Sequence, residues 1–174
     1  MKKLLYLFVT VLVFSCGESN TSSINEKMVS QLKSFETKET LETSSKQFIE
    51  DYIRDINTDE WEARILKYLP PNSEAFLEQH AAFRVSFPNY NINIEHATAD
   101  GNEVTVWLNI SANYAVTYDF EDTDFKEAIK GIEADNQSLS WDEVWYFDVV
   151  NGQFGDKWDF LKDQYVILKD LNAL

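Results

Sequence analysis

The chain has 174 residues, and its 30 acidic side chains outnumber its 15 basic ones, which gives a formal net charge of −15. Such a chain repels phosphate backbones and anionic headgroups, so its charge argues against nucleic acid as a partner and against a membrane contact through a basic patch. With 44% hydrophobic and 14% aromatic residues it can bury a core, and its length fits one domain.

The first 15 residues have the layout of an export signal, in which a basic start precedes an apolar run too short to span a bilayer. The segment from Leu12 to Cys16 resembles the lipobox of bacterial lipoproteins. This resemblance implies that Cys16 is acylated, becomes the new N-terminus and anchors the chain in a lipid bilayer. The alternative is an ordinary secretory signal that has Cys16 near its cleavage site.

The lipobox resemblance also implies a location outside the cytoplasm, and Gly17, in place of an aspartate, favours the outer membrane over the inner one. We predict three parts: a signal peptide at residues 1–15, a lipidated tether with a short helix at 16–43, and a folded domain at 44–174. The stretch from Glu36 to Ser45 is predicted to be a linker. Cys16 is the single cysteine, so the sequence predicts no intramolecular disulfide.

Apolar residues at helical spacing predict three helices at the start of the domain. Their buried stripes are Phe48, Ile49, Tyr52, Ile53 and Ile56, then Trp61, Ile65, Tyr68 and Leu69, then Phe76, His80, Phe83 and Phe87.

From Tyr90 the period changes to two, which predicts a first strand and then a long strand from Glu103 to Tyr118. The acidic segment from Asp119 to Ser138 is predicted to hold a short helix. Apolar spacing after Leu161 predicts a closing helix at the C-terminus.

The segment from Leu139 to Leu161 predicts a β-hairpin closed by Asn151-Gly152, because both residues tolerate the positive φ of a two-residue turn. Continued from that turn, the register sets Trp145 opposite Trp158 and Phe147 opposite Asp156. Eight side chains then share one aromatic face that carries two carboxylates: Glu143, Trp145, Phe147, Val149, Phe154, Asp156, Trp158 and Phe160.

The order of elements predicts an α+β domain in which three N-terminal helices and a C-terminal helix pack against a curved antiparallel sheet of about four strands. The space between such a sheet and its helices is the natural place for a ligand.

Four stretches resemble the SnoaL-like (ester cyclase) branch of the nuclear-transport-factor-2-like superfamily, and the resemblance extends from about Ser73 to Leu171. The stretches are His80 to Tyr90 (HAAFRVSFPNY), Ala99 to Val104 (ADGNEV), Trp141 to Gly152 (WDEVWYFDVVNG) and Lys157 to Leu161 (KWDFL). The resemblance implies a cone-shaped fold with a deep pocket. In enzymatic members it also implies an acid-base carboxylate that acts on a small, largely apolar substrate.

This chain departs from the family pattern at two positions. Lys162 stands four residues after Trp158, where enzymatic members commonly have an aspartate, and Tyr114 stands where most members have a histidine. Both departures favour binding over catalysis.

Three residues are candidates for acid-base chemistry. Glu143 and Asp156 would have raised pKa values if the aromatic face desolvates them, and His80 lies on a helix face aimed at the sheet. The alternative for the carboxylates is a wet position at the sheet margin, and for His80 a hydrogen-bonded place in the core. The predicted ligand-binding residues are Trp145, Trp158, Phe147, Tyr114 and Trp141.

Neither a metal nor a cofactor is predicted, because two histidines without ligand spacing make a poor metal site and the glycines form no phosphate-binding motif. The first hypothesis is that the domain binds a small apolar or amphipathic molecule. The second is a cofactor-independent cyclase, isomerase or hydrolase, and whether the chain is an enzyme is left open. The third is an interaction module that forms a homodimer through the outer sheet face around Trp107.

Overall fold

The computed structural model describes residues 21–118 and 132–171. The predicted signal peptide, Cys16 and most of the predicted helix after Asp119 lie outside these residues. The chain divides into two compact units, Met1–Lys38 and Glu39–Leu174, and the site described below lies within the second unit.

Helices precede a four-stranded meander in the described part of the chain. The elements are α1 Thr21–Ile56, α2 Trp61–Ile65, a 3-10 helix Leu66–Tyr68, α3 Glu74–Ser86, β1 Asn91–Asp100, β2 Glu103–Tyr114, β3 Gln137–Val150, β4 Gln153–Lys162 and α4 Gln164–Asp170. The strands form one curved antiparallel sheet in the order β1-β2-β3-β4, which confirms the predicted α+β class and meander. Of the helices described, none is long and apolar enough to cross a bilayer.

Helix α1 continues without a break through residues 36–45, so the predicted linker there is wrong. The threonines that suggested a linker bond to carbonyls of the preceding helical turn: Thr37 Oγ1 donates to Lys33 O and Thr43 Oγ1 to Glu39 O, each at 2.8 Å. Glutamate and lysine between them are good helix formers. The predicted short tether helix is therefore the N-terminal part of a longer one.

The core lies on the inner face of the sheet, under α1. Alternate residues of β2 are buried as predicted, and so are alternate residues of β3. On α1, Tyr52 packs against Trp145 and Phe154, with ring centroids 6.4 and 4.8 Å apart. The buried positions of β2 and β3 are Val104, Val106, Leu108, Ile110, Ala112, Tyr114, Leu139, Trp141, Glu143, Trp145, Phe147 and Asp148.

Strand β2 ends at Tyr114, four residues before the predicted end at Tyr118. The next two backbone N–H groups, of Ala115 and Val116, donate to Ser86 O at the end of α3, at 2.9 and 3.4 Å. The chain leaves the sheet here because these backbone N–H groups bond to the C-terminal end of α3 and not to a neighbouring strand.

The predicted turn is confirmed, since Asn151 and Gly152 have φ values of 52° and 77°. Next to the turn the pairing is also as predicted, but further along Phe147 lies opposite Trp158 and Trp145 opposite Phe160. The predicted pairing of Trp145 with Trp158 is therefore wrong, although their rings still lie on the same face, 5.6 Å apart.

A bulge in β4 causes this difference. Asp148 is buried, and its carboxylate accepts a hydrogen bond from the Lys157 backbone N–H at 3.0 Å. A Cβ on Gly155 would lie 2.5 Å from Asp148 Cγ, so the bulge depends on glycine there. Asp156 lies on the exposed side of the bulge, and its predicted position on the aromatic inner face is wrong.

Gly155→Ala is expected to lower the free energy of unfolding by about 1–3 kcal/mol, because the new methyl group displaces the Asp148 carboxylate from its hydrogen bond. Urea denaturation followed by tryptophan fluorescence measures the change. In an Asp148→Ala background the same substitution should cost much less. Equal losses in the two backgrounds would show that the bulge does not depend on this contact.

Candidate functional site

A cavity of about 210 Å³ lies between the inner face of β4, α1 and the start of α3. Its lining is largely aromatic and aliphatic: Tyr52, Leu69, Pro70, Ser73, Phe76, Phe154, Gly155 and Trp158. Trp158 and Phe160 are 40% and 52% exposed, although they pair with the buried Phe147 and Trp145. The inner face of β4 is thus left partly uncovered, and the cavity is of a size for a small molecule.

A buried carboxylate lies on β3 beside this region. Trp141, Glu143 and Trp145 alternate along the strand and so share its inner face. Trp141 Nε1 donates to Glu143 Oε1 at 2.8 Å, and Trp145 Nε1 donates to Oε2 at 2.7 Å. Lys162, opposite Glu143 on β4, places its Nζ 3.3 Å from Oε1. Three donors therefore hold the Glu143 carboxylate.

His80 on α3 accepts a hydrogen bond from Arg84 one turn later, with Nε of Arg84 3.0 Å from Nε2 of His80. Burial lowers the pKa of His80 to about 3, and the positive charges of Arg84 and Lys162 add to this effect. The imidazole is therefore neutral near pH 7. Since Nε2 accepts, the proton lies on Nδ1, and His80 presents a donor there.

Aromatic rings enclose the His80–Arg84 pair. The His80 ring lies 4.7 Å from the Trp61 ring and 5.5 Å from the Tyr90 ring, and it stacks on Phe76 at 5.9 Å. The Arg84 guanidinium lies 5.1 Å from the Trp61 ring and 5.2 Å from the Tyr90 ring. Because Phe76 also lines the cavity, His80 lies between the cavity wall and Arg84.

Two tyrosine hydroxyls complete the polar part of the site. Burial raises the pKa of Tyr52 and of Tyr90, and the negative charge of Glu143 raises that of Tyr90 further, while Arg84 acts in the opposite direction on both. Both hydroxyls therefore stay protonated at physiological pH and can donate hydrogen bonds.

The predicted ligand-binding residues do not all reach the cavity. Trp158 lies in its wall, whereas Phe147 and Tyr114 are fully buried. The Tyr114 hydroxyl donates to Ile132 O at 3.2 Å, and its ring stacks on Phe87 at 5.2 Å, which is a core position. Trp141 and Trp145 are buried and hold Glu143.

The predicted acid-base residues are separated: Glu143 is buried on β3, His80 is half-buried on α3, and Asp156 lies on the exposed bulge. Their catalytic roles stay predictions. The sequence did not predict two residues of the site, Arg84 and Lys162. The i, i+4 spacing of His80 and Arg84 could have revealed Arg84, whereas the pairing of Lys162 with Glu143 depends on the bulge. Across residues 21–118 and 132–171 no group of three or more His, Cys, Asp or Glu side chains is placed to hold a metal ion.

Neither a protein-family model nor a curated protein sequence matches the chain. Several solved structures are similar to it. A candidate SnoaL-like polyketide cyclase from Jannaschia sp. CCS1 is 15% identical, with a TM-score of 0.62 over 77% of this chain and 95% of that one. AclR, a candidate hydroxylase from Streptomyces galilaeus, is 15% identical, with a TM-score of 0.61 over 76% and 98%.

An LEH-like epoxide hydrolase from M. tuberculosis is 12% identical, with a TM-score of 0.54 over 75% of this chain and 86% of that one. At such identities the likeness concerns the fold and leaves the activity open. The chain has the fold of SnoaL-like polyketide cyclases, as its sequence motifs predicted.

Proposed function

We propose that this domain binds a small, largely apolar molecule in the cavity beside β4 and does not transform it. The observation that carries the proposal is the partly uncovered inner face of β4, where Trp158 lines an open cavity and is 40% exposed, and where Phe160, two residues further along the strand, is 52% exposed. A ligand that covers these rings removes apolar surface from water, and this is the main source of affinity in such pockets.

The state of the acid-base candidates supports binding over catalysis. A general base needs a free lone pair within reach of the substrate. The Glu143 oxygens accept from two indoles and face Lys162, and His80 Nε2 accepts from Arg84. Asp156 is exposed outside the cavity. None of the three predicted residues lies in the lining of the cavity, and three donors already use most of the lone pairs of Glu143.

The second candidate is a cofactor-independent acid-base enzyme of the cyclase, isomerase or hydrolase type. It is favoured by the similar solved structures, which include a candidate polyketide cyclase and an epoxide hydrolase. It is also favoured by the buried Glu143, which lies near the cavity. Trp145 donates a hydrogen bond to Glu143, and its ring contacts Trp158 in the cavity wall. Such an enzyme would need its substrate to reach the lone pair that the three donors leave open on Glu143.

The proposal includes export and anchoring of the chain through acylated Cys16, outside the cytoplasm and at the outer membrane, on the basis of the lipobox-like segment. A homodimer stays a prediction, supported by Trp107 on the outer sheet face, which is 51% exposed.

Titration with the neutral apolar dye N-phenyl-1-naphthylamine tests the binding proposal. We expect saturable fluorescence enhancement in the wild type. Trp158→Ala should weaken binding about tenfold or more, because one ring of the cavity wall is lost. Trp107→Ala removes an exposed tryptophan from the outer face and should leave the affinity unchanged. Absence of saturable binding, or equal losses in the two variants, would refute this location of the site.

A further inference from the structure

Arg84 is a half-buried cation that forms no ion pair with any residue in the described part of the chain. It is held in place by hydrogen bonds from Nε to His80 and from Nη2 to Ile56 O, and by the rings of Trp61 and Tyr90. A guanidinium carries more N–H donors than these two bonds use. A positioned, partly desolvated guanidinium with unused donors is suited to bind a planar anion.

The charge of the interior supports the same reading. Two cations, Arg84 and Lys162, act on His80. Of the carboxylates that act on this group, Glu143 already pairs with Lys162, and Asp59 acts on Arg84 without forming an ion pair with it. The whole chain carries a net charge of −15, so a local excess of positive charge is not a general feature of its composition. A buried cation without a partner is costly, and an anionic ligand would supply the missing charge.

The neutral groups near Arg84 are also donors. His80 presents Nδ1–H because its Nε2 accepts from Arg84, and the hydroxyls of Tyr52 and Tyr90 stay protonated. The Glu143 oxygens are occupied by three donors of the protein. A site that offers donors and few free acceptors selects a ligand that carries acceptors.

A path connects this polar group to the apolar cavity. Phe76, His80 and Arg84 follow one another at intervals of one helical turn along α3, which spans about 12 Å. Phe76 belongs to the cavity wall and stacks on His80, and His80 bonds to Arg84. All three side chains are half-buried, so each keeps surface that a ligand can reach.

We propose that the ligand is a small apolar carboxylate, whose anionic head pairs with Arg84 and whose apolar body lies along His80 and Phe76 into the cavity beside Trp158. This inference rests on the proposed binding function and adds the chemical class of the ligand. The carboxylate matches the planar donor pattern of the guanidinium, and the aromatic walls accept a chain or ring of carbon atoms.

Isothermal titration of the wild-type chain at pH 7 with three probes of equal length tests the inference. Octanoate should bind at least about tenfold more tightly than octanamide, because the amide lacks the charge, and octylamine should bind most weakly. Equal affinities for octanoate and octanamide would overturn the inference and leave the binding proposal intact. If none of the probes binds, both proposals fail.

Arg84→Gln locates the anion site. It should abolish the preference for octanoate over octanamide while the affinity for octanamide changes little, since the cavity wall is intact. Arg64→Gln is the matched control, because Arg64 is an exposed arginine that forms an ion pair with Glu60, four residues earlier, and it should keep the wild-type preference. A preference that survives Arg84→Gln would overturn the assignment to Arg84, and the wild-type comparison remains decisive if that variant does not fold.

Discussion

Glu143→Gln is expected to lower the free energy of unfolding by roughly 3 kcal/mol, which is large for an isosteric change. The carboxylate accepts from the indole N–H groups of Trp141 and Trp145 on its two oxygens and faces Lys162. A glutamine has one acceptor oxygen, so its amide group meets an indole donor and leaves it unpaired at a cost of about 1–3 kcal/mol. Lys162, whose side chain is only 17% exposed, also loses its counter-charge.

Chemical denaturation at pH 7 measures this loss, and two variants control it. Glu95→Gln makes the same change on the exposed face of β1 and should shift the free energy of unfolding by less than about 0.5 kcal/mol. Glu143→Gln combined with Lys162→Met should recover part of the loss, because the ammonium that faced the Glu143 carboxylate is then removed. A Glu143→Gln variant as stable as the Glu95→Gln control would mean that the buried pair of Glu143 and Lys162 does not stabilise the fold.

The same variant separates the two candidate functions. An enzyme that uses Glu143 as its acid-base group should lose turnover while it keeps affinity. A binding domain has no turnover to lose, and its affinity for an apolar probe should fall more in Trp158→Ala than in Glu143→Gln.

The fold could be predicted because its signals are local. Alternating apolar residues in β2 and the Asn151-Gly152 turn each act through near neighbours in sequence, and both are observed. Continuous helix at residues 36–45 was missed because threonine and serine are poor helix formers on average, whereas here Thr37 and Thr43 satisfy their hydroxyls within the helix.

The site was predicted less well because it depends on contacts that the sequence does not encode locally. One bulge at Gly155 moves every later residue of β4 by two positions relative to β3. It carries Asp156 out of the inner face and brings Lys162 opposite Glu143. At the bulge the buried Asp148 lies close against Gly155, and no pattern of alternation reveals such a contact.

Acidification is expected to destabilise the domain through His80. Its pKa is about 3 in the folded chain, against an ordinary value of 6.5 that applies in the unfolded chain. Between these pH values the unfolded chain binds a proton that the folded chain does not, so stability falls as the pH falls. The contribution is complete above about pH 6.5, and about 2 kcal/mol of it should be lost by pH 5.

His80→Gln isolates this contribution, because glutamine keeps an acceptor for Arg84 but takes no proton in this range. The free energy of unfolding, measured by urea denaturation at pH 7 and pH 5, should fall by about 2 kcal/mol more in the wild type than in His80→Gln. His96→Gln, an exposed histidine on β1, should keep the wild-type difference. Carboxylates also titrate near the lower pH, but they are common to all three chains and cancel.

The positive charges of Arg84 and Lys162 oppose protonation of His80. A bound carboxylate at Arg84 should therefore raise the pKa of His80 and reduce the difference in the free energy of unfolding between pH 7 and pH 5. Identical pH dependence in the wild type and His80→Gln would contradict a neutral, buried histidine at the centre of the site.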